Sequence, residues 1–188
     1  MDDLHAQLMD DEKVLWEGHP DKKAFVLTHW FGSGLMFVIV WTLFTAAFVG
    51  TMFASGMTLD DMPFPKIIPI GFIILWMTPV WSHIFSSFAS FFTYKSYYYL
   101  ITDKRVIMRA GWLSYAYVSV FYQNIVDLHM YAGIIDHSCG SGTISMTQLG
   151  HMGEHHIMTN IPNCPNVFKV IQEAMKNVKA DDRFDSVF

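Results

Sequence analysis

The densest concentration of chemically versatile side chains is the stretch H-M-G-E-H-H at residues 151–156, where His151 and His155 are four apart and His156 follows directly. On a helix that spacing sets two imidazoles on one face, a geometry that zinc, nickel or copper accepts, and His129, His137, Cys139 and Cys164 supply further donors. Gly150 and Gly153 argue instead for a turn between strands, and neither C-x-x-C nor H-E-x-x-H is present. The stretch reads as a solvent-facing hairpin tip, with His151, His155 and His156 as the metal candidates. No nucleophile, base and stabiliser can be assembled from the sequence, so no catalytic residue and no cofactor is expected. A cationic group, Lys104, Arg105 and Arg109, is the candidate for facing lipid headgroups. From residue 93 onward, however, eight basic residues meet eight acidic ones, a balance that gives little attraction to an anionic leaflet. The net charge of −5 and the lack of a basic stripe exclude a nucleic-acid partner, and no small-molecule substrate is evident.

These candidates must be positioned by a chain that is 52% hydrophobic and only 15% charged, an apolar excess that has to be localised. Residues 31–57 contain no Asp, Glu, Lys, Arg or His, and residues 67–92 contain His83 alone. Each run exceeds the roughly 20 residues that cross a bilayer core, and too little sequence remains to bury both within a soluble fold. His83 has no carboxylate or second base in either run, so a neutral imidazole hydrogen-bonded to Ser or Thr is expected in place of a proton path. Ser82, Ser86 and Ser90 form a stripe of small residues suited to close helix approach, and Pro69 and Pro79 are expected to kink the second run.

Lys13, Lys22 and Lys23 precede the first run and Lys95, Lys104, Arg105 and Arg109 follow the second, whereas the connecting loop carries only Lys66. Positive charge on both flanks predicts a multi-pass cell-membrane protein with both termini cytoplasmic. The expected divisions are a cytoplasmic segment 1–29, a transmembrane hairpin 30–93 with helices near 31–57 and 67–92, a cytoplasmic domain 94–180 and a tail 181–188. Residues 1–29 read as a packing segment, with an interfacial amphipathic anchor as the alternative. In the reducing cytoplasm Cys139 and Cys164 are expected to stay free thiols.

Beyond Tyr94 the pattern changes to short β-branched and aromatic runs: 97–102, 105–110, 113–121, 124–132, 143–149 and 155–161. Asp103-Lys104 is a two-residue hairpin signal and Gly111 ends the second run. Six strands of a meander result. In NCPNVFKVIQEAMKNVK, Val167, Phe168, Ile171, Ala174, Met175 and Val178 recur at helical spacing after Pro165, which predicts one closing amphipathic helix. The fold class is therefore an α+β membrane protein.

Specific residues join this pattern. YLITDKRVIMRAGWLS resembles the opening of bacterial membrane-anchored pleckstrin-homology domains, the YdbS-like group. NIVDLHMYAGIIDHSCGSGTISM and IPNCPNVFKVIQEAM resemble that family's later segments, and EKVLWEGHP its lead-in. The resemblance implies a two-helix transmembrane hairpin followed by a pleckstrin-homology-like antiparallel β barrel or sandwich, closed by the C-terminal helix. It marks Tyr97, Arg105, Gly111, Asp127 and Gly142 as a structural signature. The implied role is a non-enzymatic module, with the lipid bilayer and either a second copy or another membrane protein as partners. Its function would be protein interaction or oligomeric scaffolding, with lipid-headgroup or metal sensing as the alternative.

Overall fold

A computed structural model describes residues 5, 7–56, 58, 65, 67–111, 115–148 and 155–185; Lys66 of the connecting loop lies outside them. The strands are β1 (Val14–Gly18), β2 (Tyr98–Thr102), β3 (Arg105–Ala110), β4 (Ala116–Phe121), β5 (Ile125–Tyr131), β6 (Ser141–Gln148) and β7 (His155–Pro162). The helices are α1 (Lys22–Phe31), α2 (Ser33–Ala54), α3 (Ile67–Trp76), α4 (Thr78–Thr93), α5 (Ile134–Cys139) and α6 (Cys164–Asp185). The chain divides into two units, Met1–Phe25 with Phe91–Phe188, and Val26–Ser90.

In the β unit, strands β1 to β4 form one antiparallel sheet in sequence order, and β5 to β7 form a second. The chain leaves the first ladder at a 3-10 turn, Tyr122–Asn124, and enters the second sheet without pairing onward. The result is two facing sheets and no closed barrel. The core between them takes alternate residues, as the two-residue period of a strand requires: Tyr99 and Ile101 from β2, Val106 and Met108 from β3, Ile144 and Met146 from β6. Val167, Ile171 and Ala174 of α6 are buried in the same cluster, with Phe168, Met175 and Val178 packed against it. The helical spacing read from the sequence thus marks the face that closes the core.

The N-terminal segment is more than packing. β1 pairs with β2 along Trp16↔Ile101, Glu17↔Leu100 and Gly18↔Tyr99, giving seven strands among the described residues where six were expected. Leu8 packs against Tyr98, Leu100 and Ile107 on the outer face of the first sheet, so β2 is buried on both sides. A short helix, α5, also replaces what reads as a simple connection after β5.

In the other unit, one helix, Lys22–Ala54, is long and apolar enough to cross a membrane; α3 and the segment from Thr78 to Ser96 pass the same test only as a pair bent by 51°. The bend has a cause in the sequence. Pro79 has no N–H to give the Leu75 carbonyl and its ring crowds that group. The hydroxyl of Thr78 donates to Leu75 O instead. Pro69, in the first turn of α3, displaces nothing. Contacts step from Ser87 Oγ on His29 O (3.2 Å), to His83 beside Gly34, to the stacked rings of Trp41 and Trp76 (4.8 Å), so the two runs lie antiparallel. Trp41 Nε1 donates to Trp76 O (3.1 Å) and Trp76 Nε1 to the Thr45 hydroxyl (3.2 Å). Two expectations change. His83 Nε2 is sealed from solvent without a hydrogen-bond partner, so no Ser or Thr satisfies it. Of the serine stripe only Ser90 is buried, together with Ser87; Ser82 and Ser86 face outward and bond to the carbonyls three residues back.

Candidate functional site

Thr102 and Arg105 flank the Asp103-Lys104 turn, where Arg105 was expected to face lipid. Its side chain is only 10% exposed and that of Glu12 is 0% exposed. Arg105 Nε donates to Glu12 Oε1 at 2.9 Å, and Nη2 donates to Glu12 Oε2 at 3.0 Å and to the Gln7 carbonyl at 2.7 Å. The Thr102 hydroxyl adds a third donor to Glu12, at 2.7 Å. Burial by itself would raise the Glu12 pKa, but Arg105, the Met9 amide and Thr102 outweigh it and hold the carboxyl below its ordinary value of 4.5. Arg105 is therefore a structural cation that clamps the N-terminal segment to the sheet, and the lipid-facing assignment is corrected. Lys13 and Asp103 close the same clamp through Lys13 N to Asp103 Oδ1 and Asp103 N to Lys13 O, both 3.0 Å. Lys104 stands exposed beside it. Glu12 was missed because its partner lies 93 positions away.

The opposite end of the same sheet gathers a second set. The Tyr97 carbonyl accepts from His19 Nδ1 at 2.8 Å, and the Phe25 and Tyr97 rings lie 5.3 Å apart. Arg109 pairs across the ladder with Tyr98 on one side and Tyr117 on the other. Its guanidinium lies 4.5 Å from the Tyr115 ring centroid, and Nε donates to Ser96 O at 3.4 Å. Lys22 Nζ sits 5.5 Å over the Tyr94 ring. Gly111, with φ +129°, turns the chain out of β3 in a conformation open to glycine. Tyr115 and Lys22 carried no motif, and only the topology reveals them as neighbours of this end.

Among the described residues the histidines do not converge. His151 lies outside the described residues. His155 and His156 are consecutive on β7 and point to opposite faces, one hydrogen-bonded to Thr147 Oγ1 (3.1 Å) and the other to Gln148 Oε1 (3.2 Å). Among the described residues no group of three His, Cys, Asp or Glu could hold a metal ion. Asp127 pairs with His129 at 2.7 Å on the exposed surface of β5.

Gly142 has a steric role. A Cβ there would lie 2.8 Å from Cys164 Cβ and 2.9 Å from its Sγ, so the first residue of α6 can approach β6 only over a glycine. Beneath it, Asp136 Oδ1 accepts from Ser141 Oγ (2.9 Å) and Asn160 Nδ2 (2.8 Å). Both cysteines are free thiols. Burial, helped by the charge of Asp136, pushes the Cys164 thiol up to about 11. At pH 8 iodoacetamide is expected to alkylate the partly exposed Cys139 at least tenfold faster than Cys164, with the difference vanishing in denaturant. Equal rates in the folded protein would contradict the packing.

No curated protein matches the chain. Among solved structures, a DUF1696 family protein with a pleckstrin-homology domain from Shewanella loihica is 17% identical, covering 42% of this chain and 70% of its own, with a TM-score of 0.35. The profile described as Bacterial PH domain matches residues 30–177, from the end of α1 through most of α6. Since that match takes in α2 to α4 and the strands β2 to β7, and more than half of the sequence, the chain belongs to the bacterial PH domain family.

Proposed function

We propose that the chain is a non-catalytic, membrane-anchored module whose residues 31–57 and 67–92 form a transmembrane hairpin, with both termini cytoplasmic, and whose β unit serves as a protein-interaction or oligomeric scaffold. The observation that carries this reading is the pairing of β1 with β2. These strands flank the apolar unit in sequence, and two strands can share a ladder only in one compartment. Whatever crosses a membrane between them must cross an even number of times. The side chains support the same reading: Val40 (61% exposed), Leu43 (65%), Phe72 (58%) and Leu75 (72%) are left uncovered by protein, as lipid contact requires. Thr42, Thr51 and Ser82 return their hydroxyls to backbone carbonyls of their own helices.

The interaction role rests on the sheet edges. β5 is an edge strand, and Leu128 and Met130 pair with Met146 and Ile144, which places them on the core-facing side. Yet Met130 is 43% exposed, and Val126, at the register shift, 62%. An apolar strand edge of this kind can accept a further strand or helix, and tethering in one plane raises the effective concentration of weak contacts. Crosslinking of the full chain in native membranes is expected to trap adducts that Met130→Glu reduces severalfold. Monomer alone, or adducts indifferent to that substitution, would overturn the scaffold role. Extraction of the full chain by alkaline carbonate would overturn the anchor.

A further inference from the structure

Lys104, Arg105 and Arg109 do not act together. Arg105 is buried, and Lys104 lies five residues from Arg109, about 16 Å at the ~3.3 Å rise of a strand. Arg109 instead belongs to the end of the first sheet at which the chain passes into and out of the apolar helices. α1 begins there at Lys22 and α4 runs out there at Thr93, with Lys22 over Tyr94 and Phe25 against Tyr97 marking the two passages. Beside them stand Arg109, stacked on Tyr115 and flanked by Tyr98 and Tyr117 on the sheet's outer face. Tyr115 is 54% exposed and Tyr117 38%. Lys22, Lys23 and Lys95 are exposed as well. In a chain of net charge −5, four cations thus gather among exposed tyrosines at one place. Two carboxylates stand near: Asp21, which accepts the Ala24 amide at 2.8 Å, and Glu17, which lies by Tyr98 and pairs with His5 at 3.0 Å.

We infer that this end of the outer face rests on the anionic surface of the bilayer holding the helices, with Tyr115 and Tyr117 in the headgroup layer and Arg109, Lys22, Lys23 and Lys95 against lipid phosphates. The inference rests on the membrane-anchored reading above and adds to it the face that meets lipid. Tyrosine has the amphipathic ring favoured at headgroup depth. A guanidinium stacked on an aromatic ring is held in place to present its planar fork to a phosphate. Lys22, Lys23 and Lys95 lie within a few residues of the points where the chain enters and leaves the apolar helices. The Asp103-Lys104 turn, at the far end, is left out.

The test uses the full chain in uncharged detergent, with native mass spectrometry counting retained phosphatidylglycerol against phosphatidylcholine. Retention is expected to favour phosphatidylglycerol, to fall about fivefold in Arg109→Gln, the factor one interfacial cation supplies, and to be unchanged in Lys104→Gln. Tyr115→Ala, at an exposed position, should also lower it and keeps the test valid if the Arg109 variant folds poorly. No preference between the lipids, an equal loss in Lys104→Gln, or displacement of phosphatidylglycerol by inorganic phosphate at matched concentration would each overturn the inference. Carbonate extraction fails the anchor and not this face, so the two failures are distinguishable.

Discussion

Replacing Arg105 with methionine is expected to cost the β unit about 3–5 kcal/mol, because it leaves the Glu12 carboxylate, 0% exposed, without its cation. Denaturant unfolding of the full chain in micelles, followed by near-ultraviolet circular dichroism, reads the loss. The double variant Arg105→Met/Glu12→Leu should recover most of it, since two apolar side chains of similar volume leave no charge stranded. A double variant as unstable as the single one would show that packing, and not the ion pair, is at stake. The pH dependence gives an independent check. In the native chain the Glu12 pKa is lowered, so its contribution is fully present above 4.5 and is lost as pH falls through the lower folded value. Without Arg105 only the Met9 amide and Thr102 are left to oppose burial, so the stability that Glu12 contributes above pH 4.5 should shrink and the acid limb of the variant should flatten. An acid limb identical in the two proteins would sink the assignment.

The second large effect is expected at Gly142. Gly142→Ala inserts a methyl group 2.8 Å from the Cβ of Cys164, an atom fixed to the helix backbone and unable to swing aside. Either α6 or β6 must shift, at about 1–3 kcal/mol. Pairing the substitution with Cys164→Gly removes the obstructing atoms, so the double variant should lose at least 1 kcal/mol less than the two single losses combined. Strict additivity in thermal or denaturant unfolding would mean that the contact does not limit the approach.

Local pattern was legible and long-range pairing was not. β2, β3 and the intervening turn were readable from Y-Y-L-I-T, D-K and R-V-I-M-R-A because a hairpin closes within a dozen residues. α6 was readable because its apolar side chains repeat at helical spacing. β1 offers only five residues, and its partner β2 lies beyond the whole apolar unit, so nothing nearby in sequence selects a strand. The same distance hid Glu12 from Arg105. α5 escaped because six residues are too few to show a period. Among the candidate residues, the basic trio looked like one patch in sequence, yet the turn and the rise of β3 send its members to a clamp, an exposed turn and the far end of the sheet. Gly111 was read as the end of a strand and Gly142 was marked by resemblance; their reasons, a positive φ and a close helix approach, are visible only in three dimensions.

The placement of β1 also orders biosynthesis. As the chain is made, residues 14–18 emerge first and wait while both apolar helices are synthesised, and only then does residue 98 begin the strand they need. The first sheet therefore cannot be finished until the apolar helices between its first two strands have been made. Once formed, the Arg105–Glu12 clamp fastens residues made before the apolar helices to residues made after them.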